Sequence, residues 1–175
     1  MNTANKLTLL RVVLIPLFLV VLYLRFPYSQ YIALVLFILA SITDFADGYI
    51  ARKHNLITDF GKFMDPLADK VLVMAAMLWF VESGRFPGWA LLIVIVREFG
   101  VTALRLVAVE GGRVIAAGWS GKIKTASTMV GICAMFLFDK PLLDTIVVAV
   151  ILVTTIYSGL EYFVKNRDLM NWKDL

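Results

Sequence analysis

The sequence predicts an all-α protein that crosses a membrane six times, and three observations predict it. Apolar residues make up 61% of the 175-residue chain, charged residues only 17%, and the mean hydropathy is +0.84, too apolar for the surface of a soluble domain of this size. The apolar residues gather into six stretches, 7–24, 31–51, 64–81, 89–109, 123–138 and 145–164, each near the ~20 residues needed to span a bilayer. The basic residues are also distributed unevenly. If the N-terminus is cytoplasmic, that side carries Lys6, then Arg52, Lys53 and Lys62, then Arg113, Lys122 and Lys124, then Lys165, Arg167 and Lys173, whereas the other side keeps Arg25, Arg85 and Lys140. The asymmetry places both termini in the cytoplasm. The six spans and their short loops use nearly the whole chain, so residues 1–175 read as a single membrane domain. The net charge of +4 fits helix ends resting on anionic lipid and is not read as nucleic-acid binding.

The first stretch is interrupted by Arg11 and lacks a small-residue cleavage pattern after it, so it reads as a retained span. Turns are predicted at Phe26-Pro27, from Gly84 to Gly88, at Gly111-Gly112 and at Lys140-Pro141. Cys133 is the single cysteine and forms no internal disulfide. The second stretch is apolar only as far as Ile42, too short at ~1.5 Å per residue to cross ~30 Å. Its helix must therefore continue through 43–51, carrying Asp44 and Asp47 with it. The third has the mirror-image problem: its apolar run starts near Val71, so Asp65, Asp69 and Lys70 occupy its early turns. The fourth carries Arg97-Glu98 near mid-depth and Arg105 near its cytoplasmic end; the fifth begins with Lys122 and Lys124, and the sixth finishes with Glu161. Charges at depth cost roughly 2.5–3.5 kcal/mol each, so they are expected to face one another across an active-site cavity open to the cytoplasmic side.

Two segments supply the acids: SITDFADGYIAR at 41–52 and FGKFMDPLADK at 60–70. Asp44 and Asp47 are i and i+3, Asp65 and Asp69 are i and i+4, so each helix presents a carboxylate pair on one face. Four clustered carboxylates repel unless a cation lies between them, and hard divalent ions take oxygen ligands of this kind. Two ions held ~3.5–4 Å apart would clamp a phosphoryl group. Gly48 and Ala51 leave room for a nucleotide or pyrophosphate, Arg52 can pair with a phosphate, and Gly61 offers similar room. The alternative, helix-end caps that only solubilise, explains one such pair more readily than two. His54 reads as a solvated loop residue.

The array Asp44-x-x-Asp47-Gly48-x-x-Ala51-Arg52, eight residues, then Gly61-x-x-x-Asp65-x-x-x-Asp69 resembles the complete signature of the CDP-alcohol phosphatidyltransferases. The resemblance implies a six-helix, homodimeric enzyme of the cell membrane that moves a phosphatidyl group from CDP-diacylglycerol to an alcohol and releases CMP. It implies Asp44, Asp47 and Asp65 as ligands of two divalent cations, Mg or Mn. Asp69 is implied as general base and further ligand, and Gly48, Ala51, Arg52 and Gly61 as the lining of the nucleotide site.

For the acceptor, Arg97, Arg105, Lys122 and Lys124 reach the same leaflet and suit a phosphorylated alcohol. The strings REFGVTALR at 97–105 and GKIKT at 121–125 resemble the corresponding regions of family members that use sn-glycerol 3-phosphate. Lipid-phosphate snorkelling is the alternative for Lys122, and neutralisation of Glu98 the alternative for Arg97. A phosphate-loop reading of GWSGKIKT fails because Ile123 follows Lys122 and no strand precedes it. Cardiolipin synthase and phosphatidylinositol-phosphate synthase chemistry are the competing acceptor choices. From another class, a cation or organic-anion transporter would also bury acids and bases, but transporter sites sit at the midplane between repeats, and no repeat is present here.

Overall fold

A computed structural model describes residues 3–24, 26–54, 59–116 and 118–169 of the chain. Among them are six α-helices and no strand: α1 Thr3–Tyr23, α2 Ser29–His54, α3 Asp59–Glu82, α4 Gly88–Glu110, α5 Trp119–Leu137 and α6 Pro141–Lys165, followed by a short 3-10 helix Arg167–Leu169. Each overlaps one of the six apolar stretches: α2, α3, α4 and α6 run past both ends of theirs, and α1 and α5 start four residues earlier and stop one residue short. The expected continuation of the second helix past its apolar part is present, since α2 runs unbroken to His54. His54 therefore closes a helix rather than standing in a loop, and its side chain lies outside the described residues.

The chain forms two compact units. The first comprises Met1–Trp79 with Phe136–Phe138. Within it α1 packs on α2, and the core is aromatic: Phe18, Phe37 and Phe136 are all buried, with centroids 6.1–6.4 Å apart, and Trp79 stacks on Phe136 at 5.8 Å. Tilted and edge-on rings at these distances add about 0.5–1.5 kcal/mol per pair to their area burial.

The second unit comprises Phe80–Met135 and Asp139–Leu175. Here α4 packs on α6 and on the 3-10 helix, with Val101, Leu104 and Tyr162 buried and Ile115 and Phe163 against them. Glycines allow the close approach: a Cβ at Gly100 would stand 3.2 Å from the Phe163 ring, and one at Gly131 only 2.7 Å from the stiff Val147 side chain. The exposed Arg113–Asp168 ion pair sits at the 3-10 helix, where the guanidinium holds the Asp168 carboxyl below its usual range.

Helix α6 is set apart by its length and composition. It is long and apolar enough to cross a membrane. Its exposed stripe is Leu142, Ile146, Val150, Val153, Tyr157, Leu160 and Val164, whereas its buried face includes Thr155, Ser158 and Gly159. Thr155 is fully buried while Leu160 and Val164 are 62% and 66% exposed. The outer face is apolar where a soluble helix carries polar residues, while the buried face mixes Val147, Ile151 and Tyr162 with these small residues. It is the pattern expected where lipid covers the outside and small residues mediate contact within.

At the α3–α4 connection Gly84 takes φ +74°, and the turn returns the Arg85 and Phe86 amides to the Phe80 carbonyl. Arg85 then lies over the Phe80 ring and donates from Nε and Nη2 to the two carboxylate oxygens of Asp144, both at 2.8 Å. This bond raises the guanidinium pKa further above its ordinary value. Side-chain exposures of 12% and 10% make it a buried bidentate pair joining the connection to the first turn of α6. Removing one partner of such a pair costs about 3–5 kcal/mol. Asp144→Asn is expected near the low end, about 3 kcal/mol, because Asp139 stands 3.6 Å from Nε and offers a weaker substitute. Thermal unfolding in detergent measures this loss; an unchanged midpoint would show the pair to be idle.

Candidate active site

The eight signature positions all fall on helical backbone, five on α2 and three on α3. Their side chains, and with them the expected carboxylate cluster, lie outside the described residues; the backbone gives only their helical register. Buried Ala33, Phe37 and Ala40 mark the inward stripe of α2 at intervals of four and three residues. Continuing the same alternation leads to Asp44, Asp47 and Ala51. On α3 the buried stripe Leu72 and Ala76, followed backwards, leads to Asp69 and Asp65. Both pairs thus continue, in helical register, a stripe that is buried elsewhere on the same helix, and both helices contribute these parts to the first unit. The hydroxyls just ahead of the acids return to their own helix, Ser41 to the Phe37 carbonyl at 2.8 Å and Thr43 to that of Ala40 at 2.7 Å.

Carboxylate oxygens are hard donors of the kind that hard divalent cations take, and a poor match for softer metals. Among the described residues no group of three or more His, Cys, Asp or Glu side chains is placed to hold a metal, and the four aspartate side chains are not among those residues.

The second unit contains the four basic residues expected at the acceptor, in three different settings. Arg97 and Lys124 meet at one carboxylate: Glu98 Oε1 accepts from Arg97 Nη1 at 2.9 Å and from Lys124 Nζ at 2.7 Å, joining α4 to α5. Lys124 is only 5% exposed, so this charge-assisted contact offsets part of its desolvation. Arg97 is threaded past two glycines. A Cβ at Gly159 would lie 3.2 Å from its Cγ, one at Gly121 3.6 Å from Nη2, and its buried Nε has no hydrogen-bond partner among the described residues.

Arg105 lies in register with Glu98, seven residues or two turns along α4. Its Nε donates to the Tyr162 hydroxyl at 2.8 Å, and its Cζ sits 5.4 Å from the centre of that ring. Lys122 is exposed, its Nζ 4.8 Å from the Trp119 ring. The structure therefore brings Arg97 and Lys124 together through Glu98 and places Arg105 and Lys122 on aromatic partners. Both lysines lie within α5 rather than in a phosphate loop.

The Arg97–Glu98 pair, the alternative given for Arg97, is present; sequence reasoning missed Tyr162 and the share that Lys124 takes in Glu98. An aromatic residue near the end of an apolar stretch reads as an interfacial anchor. Residues 97 and 98 point to different faces of a helix, and only the length of their side chains lets them meet.

Comparison with known proteins adds an independent line. The family profile described as CDP-alcohol phosphatidyltransferase matches residues 1–157. The chain is 42% identical to a CDP-diacylglycerol–glycerol-3-phosphate 3-phosphatidyltransferase of Bacillus subtilis (strain 168), the match covering 97% of each chain. It is 38% identical to a probable phosphatidylglycerophosphate synthase of Mycobacterium tuberculosis (strain ATCC 25618 / H37Rv), over 96% of this chain and 83% of the relative. It is 37% identical to a CDP-diacylglycerol–glycerol-3-phosphate 3-phosphatidyltransferase of Salmonella typhi, over 97% and 98%.

Proposed function

The chain belongs to the CDP-alcohol phosphatidyltransferase family, and on that premise we propose that it transfers the phosphatidyl group of CDP-diacylglycerol to sn-glycerol 3-phosphate, releasing CMP. The observation that carries the chemistry is the register of Asp44, Asp47, Asp65 and Asp69 with the buried stripes of α2 and α3. The acceptor is taken from the names of the relatives and from the basic residues that α4 and α5 carry.

In this reading Asp44, Asp47, Asp65 and Asp69 would hold two divalent cations, Mg or Mn, which would supply positive charge to offset that of the pyrophosphate and of CMP. Gly48, Ala51 and Gly61 leave space for the nucleotide, and Arg52 pairs with a phosphate oxygen. Asp69 accepts the proton of the glycerol 1-hydroxyl as its oxygen forms a bond to the lipid-side phosphorus. The bond from that phosphorus to the CMP oxygen breaks in the same displacement. Arg97, Arg105, Lys122 and Lys124 attract the acceptor's phosphate, and Arg105 provides the directional contact.

The same reading makes residues 1–175 one membrane domain with six spans, its site and both termini on the cytoplasmic side of the cell membrane, working as a homodimer. The lipid substrate then enters from the inner leaflet with its acyl chains still in the bilayer. The apolar outer face of α6 and the one-sided basic loops support this placement.

The deciding experiment presents purified protein in detergent with CDP-diacylglycerol and, separately, glycerol 3-phosphate, phosphatidylglycerol, inositol phosphate and serine, and measures CMP. Release with glycerol 3-phosphate alone is expected. Release with any other acceptor at a comparable rate would reassign the substrate, and no release with any of them would remove the enzymatic reading. Within this reading, Arg105→Ala is expected to raise the KM for glycerol 3-phosphate about 10-fold or more, the worth of one charged hydrogen bond. The KM for CDP-diacylglycerol is expected to stay within about 2-fold, a shift too small for one lost hydrogen bond. Equal effects on both substrates would remove Arg105 from the acceptor site.

A further inference from the structure

A guanidinium has two hydrogen-bonding edges suited to an oxyanion: the side formed by Nε and one Nη, and the end formed by both Nη atoms. The second unit uses these edges differently in its arginines. Arg85 spends the side edge on Asp144 and is thereby a structural clip. Arg97 gives Nη1 to Glu98, while its Nε is buried without a partner among the described residues. Arg105 gives only Nε, to a neutral hydroxyl, and its half-buried end edge makes no hydrogen bond to the described residues.

The hydroxyl that takes Nε is firmly held. Tyr162 is 9% exposed and lies in the α4–α6 core with Val101 and Leu104, Phe163 packing against the same group. Its carbonyl accepts from Asn166 Nδ2 at 2.8 Å, which ties down the last turn of α6. The ring also lies 5.4 Å from Arg105 Cζ, so the guanidinium is restrained in both direction and depth.

We propose that Tyr162 is a positioning residue: by occupying Nε alone, it aims the end edge of Arg105 at the phosphate of the acceptor alcohol. The proposal rests on the reading that Arg105 meets that phosphate. A long arginine side chain loses considerable rotamer freedom on binding, and a fixed Nε contact removes that cost before the substrate arrives. The phosphate then meets two parallel donors already in place.

Tyr162→Phe keeps the ring and its packing and deletes the acceptor of the Nε hydrogen bond. The KM for glycerol 3-phosphate is expected to rise roughly 5- to 20-fold, with kcat, the KM for CDP-diacylglycerol and the melting temperature near those of the parent. Inorganic phosphate, used as a competitor of glycerol 3-phosphate, is expected to inhibit Tyr162→Phe less strongly by a similar factor. In the Arg105→Ala background the same change is expected to be silent, because the group that Tyr162 aims has gone.

If Arg105→Ala raises the acceptor KM and Tyr162→Phe does not, the positioning role is overturned and the acceptor reading survives. If Tyr162→Phe raises both KM values together with a lower melting temperature, or acts additively with Arg105→Ala, Tyr162 is only structural. If Arg105→Ala leaves the acceptor KM unchanged, the acceptor reading and the positioning role fall together.

Discussion

Asp69→Asn is expected to slow phosphatidyl transfer by at least ~100-fold, the range of a lost general base, while CDP-diacylglycerol still binds. The reason is that the carboxamide preserves the size of the side chain and an oxygen, yet cannot accept the hydroxyl proton at neutral pH. The acceptor must then attack as a neutral alcohol, and the barrier rises without comparable loss of ground-state affinity. Steady-state CMP release and equilibrium binding of labelled CDP-diacylglycerol, run on the same preparation, separate the two effects. Near-parental turnover would assign the proton to another group. Loss of binding in step with turnover would make Asp69 a ligand alone.

Chelation should have an even larger effect. Without cations, the four carboxylates and the pyrophosphate of the substrate would be brought together as like charges, which is unfavourable by several kcal/mol at contact distance in a partly dry site. Treatment with EDTA is therefore expected to reduce CMP release to the rate without protein, and added Mg or Mn to restore it. Calcium, with longer bonds and looser geometry, is expected to bind with little restoration. Activity that survives exhaustive chelation would sink the proposed role of the acidic array, whatever the acceptor.

The helices themselves were legible because hydropathy and helix length obey the same constraint. An apolar run that stops at Ile42 is too short to cross a bilayer, and that shortfall required α2 to continue through its acidic segment, as it does. The site was legible along each helix, since i,i+3 and i,i+4 spacing fixes which residues share a face. Contacts between distant segments were not. Arg85 and Asp144 are 59 residues apart and look like separate loop and helix-end charges. Arg105 and Tyr162 are 57 apart, and nothing local to either identifies the other. Such pairs depend on which helices pack together, and a nearly uniform apolar background leaves little pattern from which to choose neighbours.

The apolar outer face of α6 has a practical consequence for engineering. The fully buried side chains that seat this helix and the most exposed apolar ones lie on different sides, with half-buried Leu143, Val148, Leu152 and Phe163 between them. Recolouring Leu142, Ile146, Val150, Val153, Leu160 and Val164 with glutamate, lysine and glutamine would alter what surrounds the helix and leave its seat on α4 intact. A water-adapted version of this segment is thus a problem of the outer coat alone.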